Sequence, residues 1–75
     1  MQRLIEILTG IHPDIDFMRE EELVDKRILD SLDIVTLITE INDRFDISIP
    51  PEEIVPENFN SARALMSLIN RLDGE

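Results

Sequence analysis

Between residues 31 and about 45 the apolar side chains recur every three to four positions, which is the spacing of one face of an α-helix. Asp30 stands where an N-cap belongs, and Asp33 follows where an acidic side chain stabilises a helix N-terminus. Leu29 and Ile34 occupy the two positions of a hydrophobic staple. These signals predict a helix over this segment. Its apolar stripe consists of Ile34, Val35, Leu37, Ile38, Ile41 and Phe45.

The chain before this helix divides into a shorter helix and a long loop. Residues 1–9 place apolar side chains at helical spacing, Gly10 follows as a C-terminal cap, and Pro13 prevents continuation. Residues 11–30 carry apolar side chains without a clean period. A loop of this length is unusual in a small domain and is often functional. We expect it to be ordered and pinned to the core by its apolar residues.

The chain after the central helix begins with an extended segment, 47–51, because each proline there restricts the residue before it. Single helical turns are predicted at 51–55 and 56–59. A last helix then starts from a cap on Asn60 or Ser61, after which the chain end is expected to fray. Its apolar stripe reaches the predicted helix end and consists of Leu65, Leu68, Ile69 and Leu72.

Three substantial helices, short turns and one long loop make this an all-α chain. Its 75 residues allow a single domain, 1–75, and are too few to enclose a deep catalytic cavity. Only three residues are aromatic, so the core must consist mainly of Ile, Leu and Val. The predicted fold is a small three-to-four-helix bundle with a long loop between helices one and two.

The charge of the chain restricts its partners. Seventeen acidic residues against seven basic ones give a formal net charge of -10. Such a charge repels nucleic-acid phosphates and anionic membrane, and it favours rapid encounters with basic protein surfaces. There is no cysteine, so a disulfide framework and a thiolate metal site are both excluded. No apolar run reaches membrane-spanning length and no signal peptide is recognisable, so a cytoplasmic location is expected. We also expect the chain to be a monomer.

One apolar residue stands out at the start of the central helix. Leu32 lies nearly opposite the apolar stripe, beside Ser31, whose hydroxyl points outward from the first helical position. A helix N-terminus favours a negatively charged group, so a phosphodiester on Ser31 would be well placed. Serine at a helix start is also common for capping alone, and local reasoning leaves that alternative open. The polar neighbours of Leu32 on this face are Asp33, Thr36, Thr39, Glu40 and Asp43.

Residues 29–38, Leu-Asp-Ser-Leu-Asp-Ile-Val-Thr-Leu-Ile, resemble the prosthetic-group attachment motif of acyl carrier proteins. Upstream, 23–29 resembles the loop that leads into the attachment serine of this family. Downstream, the helix is followed by Ile-Ser-Ile-Pro at 47–50, similar to the family's segment that closes on Ile-Pro. Phe59 and the last helix also match in placement. The resemblance therefore covers nearly the whole chain.

The resemblance implies a carrier and not an enzyme. A phosphopantetheinyl transferase would move 4′-phosphopantetheine from coenzyme A onto Ser31. The thiol of that arm would hold an acyl or aminoacyl thioester, so the cofactor brings the sulfur that this cysteine-free chain lacks. A loading ligase or synthase would dock through a basic patch, with electrostatics setting encounter rate more than affinity. The docking residues implied here are Asp30, Leu32, Asp33, Thr36, Glu40 and Asp43.

The carried group is left open by the motif. Leu29 stands where fatty-acid carriers usually have a small residue. The order Leu-Asp-Ser resembles D-alanyl carriers and stand-alone carriers that work with an adenylating ligase. D-alanyl carriers tend to have Met and then Gly after the serine, where this chain has Leu32 and Asp33. Fatty acid, D-alanyl and secondary-metabolite pathways therefore all remain candidates.

Three alternatives to a carrier are an enzyme, a calcium-binding protein and an interaction module. His12 is the only histidine, with no nucleophile visibly paired to it, so we interpret it as a loop residue and not as a catalyst. The segment from Asp14 begins like a calcium loop, but Met18 and Arg19 stand where a ligand and a glycine are required. The serious alternative is an unmodified acidic helical module for protein–protein interaction. Modification of Ser31 distinguishes that module from a carrier.

Overall fold

A computed structural model describes residues 2–73 of the chain. The described part is helical throughout, with no β-strand, and this confirms the predicted all-α class. The elements are α1 (Gln2–Ile11), α2 (Ser31–Phe45), a short 3₁₀ turn (Pro51–Glu53), α3 (Pro56–Phe59) and α4 (Ala62–Asp73). The long loop between α1 and α2 lies where the sequence predicts it.

Helix α1 extends past the predicted cap. Gly10 lies inside the helix, which ends at Ile11, so the predicted role of Gly10 as a C-terminal cap was wrong. The His12 N–H donates to the Leu8 carbonyl at 2.9 Å, which continues the helical pattern up to Pro13. Pro13 has no N–H and disfavours helical backbone before it, so the proline ends the helix and not the glycine. Met1, the predicted first residue of this helix, lies outside the described residues.

Helix α2 has the predicted bounds, and its end is fixed by Asp46. Asp46 adopts the left-handed conformation, with φ 53°, and its N–H donates to the Asn42 carbonyl. The predicted apolar stripe needs one correction, since Val35 is 59% exposed. Leu37 and Ile41 are fully buried and mark the centre of the buried face. Val35 precedes Leu37 by two positions and therefore lies about 160° from it around the helix, on the side that faces solvent.

The long loop is ordered by residues buried in the core and by backbone hydrogen bonds, one of them to the distant Asn60. Phe17, Leu23 and Leu29 are buried in the core, which confirms that apolar residues pin the loop. Leu23 donates its N–H to the Asn60 carbonyl at 2.9 Å, and Leu29 donates its N–H to the Leu23 carbonyl at 2.9 Å. Residues 23–29 thus form a closed loop whose two ends meet. Arg27 within it adopts the left-handed conformation, with φ 59°.

The C-terminal half follows the prediction closely. Pro51 begins the 3₁₀ turn, and Pro56 begins α3, as expected from a proline at the first helical position. Of the two candidate caps for α4, Ser61 is the residue whose hydroxyl oxygen accepts the Ala64 N–H, at 3.0 Å. Asp73 still belongs to α4, so the helix extends one residue past its predicted end. The chain end predicted to fray was 73–75, so the prediction was wrong for Asp73, and residues 74–75 lie outside the described residues.

The helices and the loop share one core made almost entirely of aliphatic side chains, as the composition predicted. Phe17 and Phe59 are the two aromatic residues among those buried in it, and no polar or charged side chain of the described residues is buried there. None of the described helices is both long enough and apolar enough to cross a membrane. The remaining members of the core are Leu4, Ile7, Leu8, Leu23, Leu29, Leu37, Ile41, Ile49, Ala62, Leu65, Leu68 and Ile69.

Candidate functional site

Ser31 is the first residue of α2 and is exposed to solvent. It lies between Asp30 and Asp33, and the side chain of each of these residues accepts the backbone N–H of the other. The Asp33 N–H donates to Asp30 Oδ1 at 2.8 Å, and the Asp30 N–H donates to Asp33 Oδ2 at 3.4 Å. This reciprocal pair is a capping box, although the sequence predicted only the Asp30 cap and a favourable charge on Asp33. The Ser31 hydroxyl takes no part in these bonds, and the residue is exposed.

Buried residues on both sides hold this first turn in place. Leu29, immediately before the cap, is buried, and Ile34 packs against the core one turn into the helix. These are the two positions of the predicted staple. The apolar anchors on either side, together with the capping box, give the Ser31 backbone a defined position while its side chain stays accessible.

His12 contacts this turn, although its sequence position gave no sign of it. Its Nε2 lies 2.8 Å from Asp33 Oδ2, and the two side chains are 31% and 24% exposed. The hydrogen bond from His12 is the main reason that the pKa of Asp33 lies below its ordinary value, partly opposed by burial of the carboxylate. His12 is in a loop, as predicted, but it is joined to a residue of the predicted site. The two residues are 21 positions apart, so no local pattern could reveal the pair.

The predicted docking residues differ in how freely they face solvent. Leu32 is 73% exposed, and Asp30, Thr36 and Asp43 are exposed as well. Glu40 is half-buried and pairs with Arg44 of the same helix at 3.8 Å. Asp33 is also half-buried, and its Oδ2 is already occupied by the two hydrogen bonds described above. The exposed Val35, which the sequence assigned to the core, adds a second apolar side chain to α2's surface.

An apolar cleft lies beside the first turn of α2. It has a volume of about 220 Å³ and its walls combine the loop, α2 and the segment around α3. Ile34 brings one wall to within a turn of Ser31, and Val24 contributes the loop side. Sequence patterns could not find this cleft, because its walls come from three separate parts of the chain. The remaining lining residues are Ile54, Val55, Pro56 and Phe59.

The chemistry available at this site is attachment and docking. The free N–H groups and the dipole at the start of α2 favour an anion, and an exposed hydroxyl on the first helical residue can carry a phosphodiester there. Within residues 2–73 no cluster of His, Asp or Glu side chains is arranged to hold a metal ion. The residues present therefore suit a covalently attached phosphate-linked group.

A family model described as a phosphopantetheine attachment site matches residues 2–69. Because this match spans most of the chain, the protein belongs to that family of carriers, which hold a covalent 4′-phosphopantetheine and are not themselves enzymes. The predicted resemblance to acyl carrier proteins is confirmed by this match.

Three relatives found by sequence are named D-alanyl carrier proteins. Those of Streptococcus sanguinis, Streptococcus gordonii and Streptococcus thermophilus are each 34% identical to the chain over 70 residues. The aligned part covers 92% of this chain and 89% of each relative. No solved structure matches the chain significantly.

Proposed function

We propose that Ser31 carries the 4′-phosphopantetheine and that the thiol of this arm shuttles a thioester-bound acyl or aminoacyl group between partner enzymes. One observation carries the proposal: Ser31 is exposed at the first position of a doubly capped helix, with its hydroxyl outside the capping bonds. A carrier needs an acceptor hydroxyl that is accessible to a transferase. The backbone that holds this hydroxyl must also be fixed in position. Ser31 meets both requirements.

The carried group that we propose first is a small aminoacyl group, with D-alanine as the candidate to test. The names of the relatives support this choice. A short acyl chain is the second candidate, because an apolar cleft of about 220 Å³ lies within a turn of Ser31. The cleft lining contains no charged side chain, so a charged ammonium group would gain little from entering it.

The partners that we propose are a phosphopantetheinyl transferase and an adenylating ligase, in the cytoplasm, where coenzyme A is available. The ligase would present a basic patch to the acidic face of a monomeric carrier, whose net charge of -10 would accelerate the encounter. Leu32 would provide an apolar contact at the centre of that face. The other docking residues that we propose are Asp30, Thr36, Glu40 and Asp43. Asp33, which the sequence also implied, is set apart because its Oδ2 already accepts two hydrogen bonds.

Intact mass measurement tests the attachment. The protein is incubated with coenzyme A and a transferase of broad specificity, and the parent is expected to gain the mass of one phosphopantetheine. Ser31→Ala should gain nothing, whereas Ser67→Ala, which removes an exposed hydroxyl from α4, should be loaded like the parent. A folded parent that gains no mass with any transferase would support the interaction module instead.

A second measurement separates the two candidate cargoes. The loaded protein is offered D-alanine or a short fatty acid, each with ATP and an adenylating ligase specific for that acid. Mass spectrometry then shows which group is added, and release by hydroxylamine confirms a thioester. Transfer of D-alanine alone supports the first candidate, and transfer of the fatty acid alone supports the second.

A further inference from the structure

We infer that His12 and Asp33 are positioning residues for Ser31: their hydrogen bond fixes the first turn of α2, and Asp33 acts through that turn and not as a docking charge. This inference rests on the proposed attachment at Ser31. It gives a role to the one histidine of the chain and separates Asp33 from the other acidic residues of α2.

The direction of the hydrogen bond follows from the chemistry of the pair. An ionised carboxylate can only accept, so the His12 ring must carry a proton on Nε2, which donates to Asp33 Oδ2 at 2.8 Å. The same oxygen accepts the Asp30 N–H that completes the capping box. His12 therefore holds the carboxylate in the orientation in which it caps the residue before Ser31.

The histidine is itself held by α1. The backbone N–H of His12 donates to the Leu8 carbonyl at 2.9 Å, and Leu8 is fully buried. Pro13 follows immediately and restricts the backbone at His12. The bond to Asp33 therefore connects the first turn of α2 to a helix that is anchored in the core.

The three acidic residues of α2 have different surroundings. Asp43 is exposed, and Glu40 pairs only with Arg44 of its own helix at 3.8 Å. Asp33 is the one of these three whose side chain is hydrogen-bonded to the loop after α1, and it is 24% exposed. A carboxylate whose oxygen is already shared between a histidine and a backbone N–H has less to offer a basic partner than an exposed one.

Loss of the His12 bond should slow the transfer of phosphopantetheine to Ser31 without weakening the binding of the transferase. Without the imidazole, the Asp33 carboxylate is free to rotate into solvent, and the first turn loses one of its two caps. The exposed charges that attract the transferase remain. We therefore expect kcat for phosphopantetheine transfer to fall while KM for the carrier changes little, because a misplaced nucleophile lowers the rate after binding.

Transfer kinetics on the full chain test this inference. For His12→Ala, kcat should fall about threefold to tenfold, the range expected for one coupled hydrogen bond. His12→Gln should recover most of the loss, because its amide N–H can reach the place of Nε2. Ile69→Val, a buried change in α4, is the control for a general loss of stability, and it should keep the parent kcat when both proteins are folded.

Two further variants separate positioning from docking. Asp33→Ala should lower kcat in the parent but add little in the His12→Ala background, because both changes break the same bond. Asp43→Asn should instead raise KM, by an amount that shrinks as salt is added. Normal kcat for His12→Ala, or an Asp33→Ala effect that is unchanged without His12 and sensitive to salt, would overturn the inference while leaving attachment intact. A parent that is never loaded would overturn the proposed function and this inference together.

Discussion

The side-chain oxygen of Asn60 accepts the backbone N–H groups of Val24 and Asp25, at 2.9 and 3.1 Å. Its amide nitrogen also donates to Asp25 Oδ2 at 3.3 Å. With the bond from Leu23 to its carbonyl, Asn60 holds the loop that leads into Ser31 against the junction of α3 and α4. The side chain and the backbone carbonyl of this one residue thus accept three N–H groups of the loop.

Replacement of Asn60 by alanine should therefore destabilise the whole fold. The partly buried Val24 N–H and the exposed Asp25 N–H would lose their acceptor, and we expect the free energy of unfolding to fall by about 1–3 kcal/mol. Urea unfolding followed by circular dichroism measures the change. Asn70→Ala, at an exposed position of α4, should have little effect or be slightly stabilising. Equal stabilities for the two variants would show that the loop does not depend on Asn60.

Arg27 is a position where glycine should stabilise the protein. Its φ of 59° is unfavourable for a residue with a Cβ, by about 1–2 kcal/mol, whereas glycine adopts it freely. The greater freedom of glycine in the unfolded chain offsets part of this gain, so Arg27→Gly should raise the free energy of unfolding by up to about 1 kcal/mol. Thermal and urea unfolding measure it. Lys26 has no positive φ, so Lys26→Gly, the control, should lower the free energy of unfolding. A lower free energy of unfolding for Arg27→Gly would contradict the prediction.

The stability of the protein should depend on pH through Asp33. The hydrogen bond from His12 lowers the pKa of Asp33 in the folded state, so the charged form is favoured by folding. This contribution is complete above the ordinary aspartate pKa of about 3.9 and is lost as the pH falls through the lower folded value. The melting temperature of the parent should exceed that of Asp33→Asn by a constant amount at neutral pH. That difference should shrink toward pH 3.

The same comparison in a His12→Ala background serves as the control. Without the imidazole the main cause of the lowered pKa of Asp33 is gone, so Asp33→Asn should have a smaller effect at neutral pH. A difference between parent and Asp33→Asn that grows with acidification would mean that the carboxylate is not stabilised by folding.

Leu32 should contribute to partner recognition and not to stability. Its side chain is 73% exposed, so Leu32→Ala should change the free energy of unfolding by less than about 0.5 kcal/mol. Its rate of loading by transferase and ligase should fall severalfold, because an apolar contact to the partner is lost. Met18→Ala removes a side chain of the loop that is 63% exposed and is expected to be loaded normally. Equal loading of both variants would place the docking surface elsewhere.

Helix positions in this chain could be predicted because their signals are local. The cap at Asp30, the prolines at 51 and 56 and the aliphatic spacing of α2 and α4 each act within one or two turns. The errors were local as well. Gly10 has no positive φ and remained helical, and Val35, assigned to the apolar stripe, lies about 160° around the helix from the buried Leu37 and is exposed.

The amino-acid sequence determined by itself that the chain is all-helical, where α2 begins, and that Ser31 starts it beside an exposed Leu32. Only the tertiary structure decided that His12 bonds to Asp33, that Asn60 holds the loop, and that an apolar cleft opens beside Ser31. The physical reason is separation along the chain. Capping and periodicity act over a few residues, whereas these contacts join residues 21 and 36 positions apart, which only the packing of the core brings together.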